Sequence, residues 1–304
     1  MTSTSHDLRK ALTGISGILV TPFDGADEIS PIPLVPIVER AINSGVHILV
    51  SNGNTGEFYG LTTEEAEQMV RATSEILQGR VPLVAGIGIS VKDACKLAHT
   101  SAQAGADILM IHQPPDPFVA PSGVVEYIKR VSDAGDGLPL VIYLRNDLIG
   151  TEGIKALCDI DGVIGVKWAT PNPQKLAAAM AACDPSIIWV GGLAEIWAPA
   201  FYAVGARGFT SGLINVWPEH SVAIHAALDA GDYDQARALI ARMRAFENVR
   251  AQEMNGTNVT GVKAALQLMG NDCGAARPPS AWPLTGPQHD ELKTMLLAEK
   301  LLKA

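Results

Sequence analysis

Eight short apolar runs, set roughly 20 to 35 residues apart and separated by helical stretches, constrain this 304-residue chain more than any other feature. They are Gly17–Thr21, His47–Asn52, Pro82–Ile87, Asp107–His112, Pro139–Leu144, Val163–Ala169, Ile187–Gly191 and Gly208–Gly212. Each is nearly continuous in apolar side chains, the pattern of a parallel strand buried on both faces. Three helical segments end in Ser44-Gly45-Val46, Ala104-Gly105-Ala106 and Val204-Gly205-Ala206. Glycine there suits the left-handed residue that ends a helix. Eight such units predict an α/β fold, the (β/α)8 TIM barrel. A doubly wound sheet is the competing arrangement. However, no GxGxxG follows the first run, and Gly86-Ile87-Gly88 lacks the rest of that fingerprint.

The barrel accounts for residues 1–230, including a short amphipathic lead around Asp7–Leu12. Helices are expected at Tyr233–Gln252, at Val262–Met269 and, after Arg277-Pro278-Pro279, at Gln288–Lys303. Residues 231–304 therefore read as a C-terminal helical extension. With 47% hydrophobic residues the chain can fill a large core. A net charge of −9 and no Lys/Arg-rich run argue against a nucleic-acid partner. No apolar run reaches the roughly 18 to 20 residues of a membrane helix. The polar first fifteen residues lack the basic start and apolar core of a signal peptide. Cys95, Cys158, Cys183 and Cys273 show no CxxC spacing, which predicts reduced thiols in a cytoplasmic setting and no zinc site.

Of the chain's 11 lysines, only Lys167 lies inside an apolar strand-like run. Two readings stand open. It can snorkel to water from a strand end. Alternatively, it is buried, sheds its proton and serves as an amine nucleophile toward a carbonyl. In a barrel of this kind the site lies at the C-terminal ends of the strands. That rule selects Ser51–Glu57, Tyr143–Asn146, Lys167, Gly191-Gly192 and Ser211–Asn215. The loop Gly53-Asn54-Thr55-Gly56-Glu57 can present backbone N–H groups to a carboxylate, or be an ordinary turn. Thr62 and Glu65 have the spacing of a capping box. Tyr143 is a core filler or a proton shuttle beside an amine. Arg145 suits a substrate carboxylate or a surface salt bridge. His112 has no acidic or thiol partner nearby in sequence and reads as a pocket wall or packing residue.

Taken together, Gly17-Ile18-Leu19-Val20-Thr21-Pro22-Phe23, Gly53–Glu57, Tyr143, Gly165-Val166-Lys167 and Gly191-Gly192 resemble the dihydrodipicolinate synthase / N-acetylneuraminate lyase family of Schiff-base enzymes. The resemblance covers most of the chain. It implies the barrel with its C-terminal helices, a homotetramer built as a dimer of dimers, and no metal or organic cofactor. It further implies that Lys167 forms an imine with a small-molecule 2-oxo acid and that Tyr143 relays protons. Thr55 would hydrogen-bond Tyr143, and the Asn54–Thr55 backbone would hold the C1 carboxylate, with Gly53 and Gly192 lining the site.

Within the family, Leu8–Leu12, Gly56-Glu57-Phe58, Pro114-Pro115, Tyr143-x-Arg145, Gly191-Gly192-Leu193 and Asn215–Glu219 are similar to the 5-dehydro-4-deoxyglucarate dehydratase branch. Asn54 replaces a threonine of the dihydrodipicolinate synthases, and Gln113–Phe118 lacks their tyrosine, which argues against lysine biosynthesis. Leu144 and Trp168-Ala169 replace that branch's own Asn and Asp-Gly, predicting a changed substrate contact. The expected activity is a decarboxylating dehydratase of a 2-oxo-3-deoxy sugar acid. Arg145 is assigned to the distal carboxylate or a hydroxyl, and Ser211 and Asn215 to the hydroxylated tail. The alternatives are a retro-aldolase releasing pyruvate, a dihydrodipicolinate synthase-like condensation, or a non-catalytic sugar-acid sensor.

Overall fold

The computed structural model describes residues 7–116, 118–279 and 281–302. The start of the expected lead and Lys303, the expected end of the last helix, lie outside the described residues. The strands are β1 (Ile15–Ile18), β2 (Ile48–Ser51), β3 (Leu83–Ile87), β4 (Ile108–His112), β5 (Leu140–Leu144), β6 (Val163–Trp168), β7 (Ile188–Gly191) and β8 (Phe209–Ser211). They pair in sequence order, all parallel, and β8 returns to β1 to close the barrel. The fold is therefore a TIM barrel, as the eight apolar runs predict. β1 begins before its run and stops at Ile18. Beyond it the N–H of Val20 is taken by the side chain of Asn215, which replaces a ladder bond.

Helices α1 (Leu8–Leu12), α2 (Leu34–Asn43), α3 (Thr63–Leu77), α4 (Val91–Gln103), α5 (Pro121–Ala134), α6 (Gly150–Cys158), α7 (Pro173–Ala182), α8 (Ala194–Ala203) and α9 (Pro218–Asp229) precede or follow the strands. Then come α10 (Tyr233–Arg250), the single turn α11 (Gln252–Asn255), α12 (Asn258–Leu268) and α13 (Gly286–Ala298). Thr62 and Glu65 form the expected capping box at the start of α3. Gly45, Gly105 and Gly205 have φ of 89°, 93° and 111°, the left-handed ends read from the sequence. Two apolar layers result. An inner one fills the lumen with Ile48, Val50, Val84, Met110, Val141 and Val190, and an outer one lies between strands and helices.

The C-terminal helices are built into the site end of this frame. α10 packs on α8, α9, α12 and α13, and α12 packs against the turn at Asn54–Gly56. The turn is fixed from outside by Glu57. Its buried carboxylate pairs with Lys263 of α12 and accepts from the backbone N–H of Arg277 at 2.7 Å. Among the described residues no helix is long and apolar enough to cross a membrane.

Candidate active site

Strand alternation decides which side chains enter the lumen. Tyr143 of β5 and Lys167 of β6 are register partners, with His112 of β4 beside Tyr143. Their neighbours Leu144 and Trp168 belong to the outer layer, Trp168 against Trp189. Leu144 and Trp168 therefore bring no changed contact to the lumen, because both side chains face the helices, whereas Ala169 lines the cavity.

Lys167 is 4% exposed, so it does not snorkel. Its Nζ lies 3.8 Å from the centre of the Tyr143 ring. Burial, and secondarily the charge of Arg145, pull its pKa down to about 7. A large share of this amine is thus neutral near pH 7 and carries a free lone pair.

Tyr143 accepts a hydrogen bond from Asn54 Nδ2 at 2.9 Å. Burial raises its pKa, which keeps the phenol protonated. Because Asn54 donates into the phenol oxygen, the phenol's own proton is left to point into the cavity. The expected bond from Thr55 to Tyr143 is not the one formed. Thr55 lines the cavity beside it, and Asn54 takes the position. Asn54 Oδ1 is buried with no hydrogen-bond partner among the described residues.

His112 stacks on Phe58 and meets Tyr143 edge-on at 5.1 Å. Its Nε2 donates to the carbonyl of Asn52 at 3.0 Å, so Nδ1 accepts from Tyr59 Oη at 3.2 Å. Burial, and then Lys167, lower its pKa to about 3, leaving a neutral ring that packs the wall behind Tyr143. Gly86 makes this possible, since a Cβ there would meet the Asn52 carbonyl oxygen at 2.0 Å.

The cavity above Lys167 has a volume of about 510 Å³. Asn54, Thr55, Tyr143, Gly192 and Thr210 line it, and Arg145 stands exposed at its rim, 5.6 Å from the Tyr59 ring. Gly192 must be small, because a Cβ would lie 2.8 Å from the Trp168 carbonyl oxygen. Gly53 is buried beneath the turn against Ile18.

Two expected contacts are not brought to this cavity. Ser211 points outward from β8, donates to Glu195 Oε1 at 2.5 Å and lies 3.1 Å from Ser221 Oγ. The inward residue of β8 is Thr210. Asn215 is fully buried and ties Val20 N–H, the Ile18 carbonyl and the Gly212 carbonyl together. Both are structural: Ser211 by strand parity, and Asn215 because its side chain is spent on these backbone groups. The sequence reading also missed Glu247, Arg250 and Asn258, which line the cavity from α10 and α12. Nothing local marks Arg250 among the other arginines of α10, and neither Glu247 nor Asn258 lies in a motif. Among the described residues no group of three or more His, Cys, Asp or Glu is arranged to hold a metal.

Residues 11–299 match the Dihydrodipicolinate synthetase family. A protein of Halobacterium salinarum named "Uncharacterized DapA-like lyase" is 32% identical over 276 residues, covering 88% of each chain. A Bacillus subtilis protein named "Probable 5-dehydro-4-deoxyglucarate dehydratase" is 28% identical over 293 residues, 95% of this chain and 94% of its own. Among solved structures, dihydrodipicolinate synthase from Oceanobacillus iheyensis superposes with a TM-score of 0.92 at 38% identity, covering 97% of this chain and 98% of that one.

Proposed function

Because this chain belongs to the Dihydrodipicolinate synthetase family of lyases, we propose that it is a dehydratase of a 2-oxo-3-deoxy sugar acid that works through an imine on Lys167. The observation that carries this is the buried Lys167 amine, its pKa near 7, against the Tyr143 ring in the barrel lumen. The neutral amine attacks the C2 ketone, and Tyr143 supplies and recovers protons as water leaves and C=N forms. The protonated imine acidifies C3–H. Loss of that proton gives an enamine, which expels the β-hydroxyl as a second water after protonation. Hydrolysis then returns the amine. A dicarboxylate substrate additionally loses CO₂.

In this reading the Asn54–Thr55 turn, seated by Gly53 against Ile18, holds the C1 carboxylate, Gly192 lines the site, and Arg145 meets the distal carboxylate. The relatives named as dehydratases support the choice over an aldolase. We read residues 1–230 as the catalytic barrel and residues 231–304 as the helical part that closes it. A homotetramer is the assembly proposed. Phe118 and Leu148, 91% and 87% exposed on the loops after β4 and β5, support a face covered by another copy. The four cysteines are unpaired, which supports a reducing, cytoplasmic setting.

Borohydride trapping with pyruvate, 2-oxo-3-deoxygluconate, 2-oxo-3-deoxyarabonate and 5-dehydro-4-deoxyglucarate tests the reading. A reduced adduct mapped to Lys167, with water or CO₂ lost from one acid, is the expected result. Released pyruvate would instead make it an aldolase. Ligand-induced thermal shifts without any adduct would leave only a binding protein.

A further inference from the structure

The part of the cavity wall supplied by α10 and α12 holds a charged pair that none of these steps uses. Glu247 and Arg250 are 8% and 7% exposed, yet both line the cavity above Lys167. They stand three residues apart on α10 and are ion-paired. Asn258, the first residue of α12, fixes the guanidinium. Its Oδ1 accepts from Arg250 Nε at 3.1 Å and from Nη2 at 2.6 Å. The guanidinium also lies against Gly212, where a Cβ would come within 2.5 Å of Nη2. Apolar side chains would hold α10 to the barrel without the cost of burying two charges. A pair kept in a cavity wall, aimed by an amide and given clearance by a glycine, is built as a receptor.

Three of the five guanidinium N–H groups are occupied, one by Glu247 and two by Asn258, so donors remain for a ligand. The charge balance says which ligand. Glu247 already neutralises Arg250, and a second carboxylate would be pressed against Glu247. Buried Glu195 behind β8, its pKa raised by burial and by Glu247, shows that negative charge is already crowded there. A hydroxyl meets no such repulsion. It donates to the Glu247 carboxylate and accepts from Arg250. We propose that the Glu247–Arg250 pair is a hydroxyl-reading subsite, through which the C-terminal helices recognise the hydroxylated tail of the 2-oxo acid. This rests on the imine reading of Lys167 and deepens it. Arg145, just past β5 and free of an ion pair among the described residues, is left for a terminal carboxylate.

The test compares borohydride trapping by 2-oxo-3-deoxygluconate with trapping by pyruvate, which has the same reacting ketone and no tail. The readout is the ratio of the concentrations giving half-maximal Lys167 adduct. Wild-type protein is expected to prefer the hydroxylated acid. Glu247→Leu with Arg250→Met removes both charges together, so neither is stranded. It should cut that preference at least tenfold. Gly212→Ala keeps both charges and pushes the guanidinium aside, so it should move the ratio in the same direction. It also decides the matter alone if the double variant does not fold. An unchanged ratio in Gly212→Ala, or wild-type protein that takes both acids equally well, overturns the subsite. No adduct with either acid on wild-type protein is a different failure: it overturns the imine reading and the subsite with it.

Discussion

Glu57 and Lys263 are ion-paired at 2.7 Å with side chains 0% and 4% exposed, joining the turn that carries Asn54 and Thr55 to helix α12. Lys263 Nζ also donates to the Ala275 carbonyl at 3.0 Å. Breaking one partner strands a buried charge. Lys263→Met is expected to cost about 3–5 kcal/mol. Glu57→Gln with Lys263→Met together should cost far less. Urea midpoints of the two variants check this, and equal losses would show that the pair is not coupled.

Lys167 must be neutral to attack a ketone. With a pKa near 7, imine formation should rise about tenfold per pH unit below 7 and level off above it. Arg145 holds that pKa down in second place after burial. Arg145→Gln should therefore move the midpoint modestly to higher pH. Stopped-flow rates of imine formation with pyruvate across pH 5 to 10 read both effects; a downward shift in the variant would contradict the assignment.

The same buried amine destabilises the fold. An unfolded lysine titrates near 10.4, and the folded one near 7. Folding must expel a proton between those values, so stability falls as pH drops through that window, and the cost is complete below about 7. Lys167→Met should be more stable than wild type by roughly 3–4 kcal/mol at neutral pH. The gap should narrow near pH 9.5. Denaturant titrations at both pH values test the sign.

Asn54 aims the phenol proton of Tyr143 by donating into its oxygen. Asn54→Asp is nearly isosteric but puts an acceptor there, which draws that proton to itself. Turnover should fall about 10- to 100-fold, and Tyr143→Phe, which removes the proton relay, should lose roughly 10²- to 10⁴-fold. If Asn54→Asp turned over like wild type, the Asn54–Tyr143 bond would have no part in proton transfer.

Much of this was legible in the sequence because strand runs and helix-ending glycines are local signals. Lys167 stood out as the one lysine in an apolar run. Leu144, Trp168 and Ser211 were misread because strands buried on both faces carry no polar side to mark the lumen. Parity settles Trp168 and Leu144, the neighbours of the inward Lys167 and Tyr143, which must face outward. The Asn54–Tyr143 bond joins the turn after β2 to strand β5, 89 residues apart in sequence, and Arg250 looks like any arginine on an amphipathic helix. Neither has a local signature.

In the order in which a ribosome delivers the chain, all eight staves of the barrel and the reactive amine emerge before α10 and α12. Lys167 is thus synthesised before Glu247, Arg250 and Asn258, and Glu57 before its partner Lys263. The part of the cavity wall that comes from α10 and α12 is the last part of the site to be synthesised.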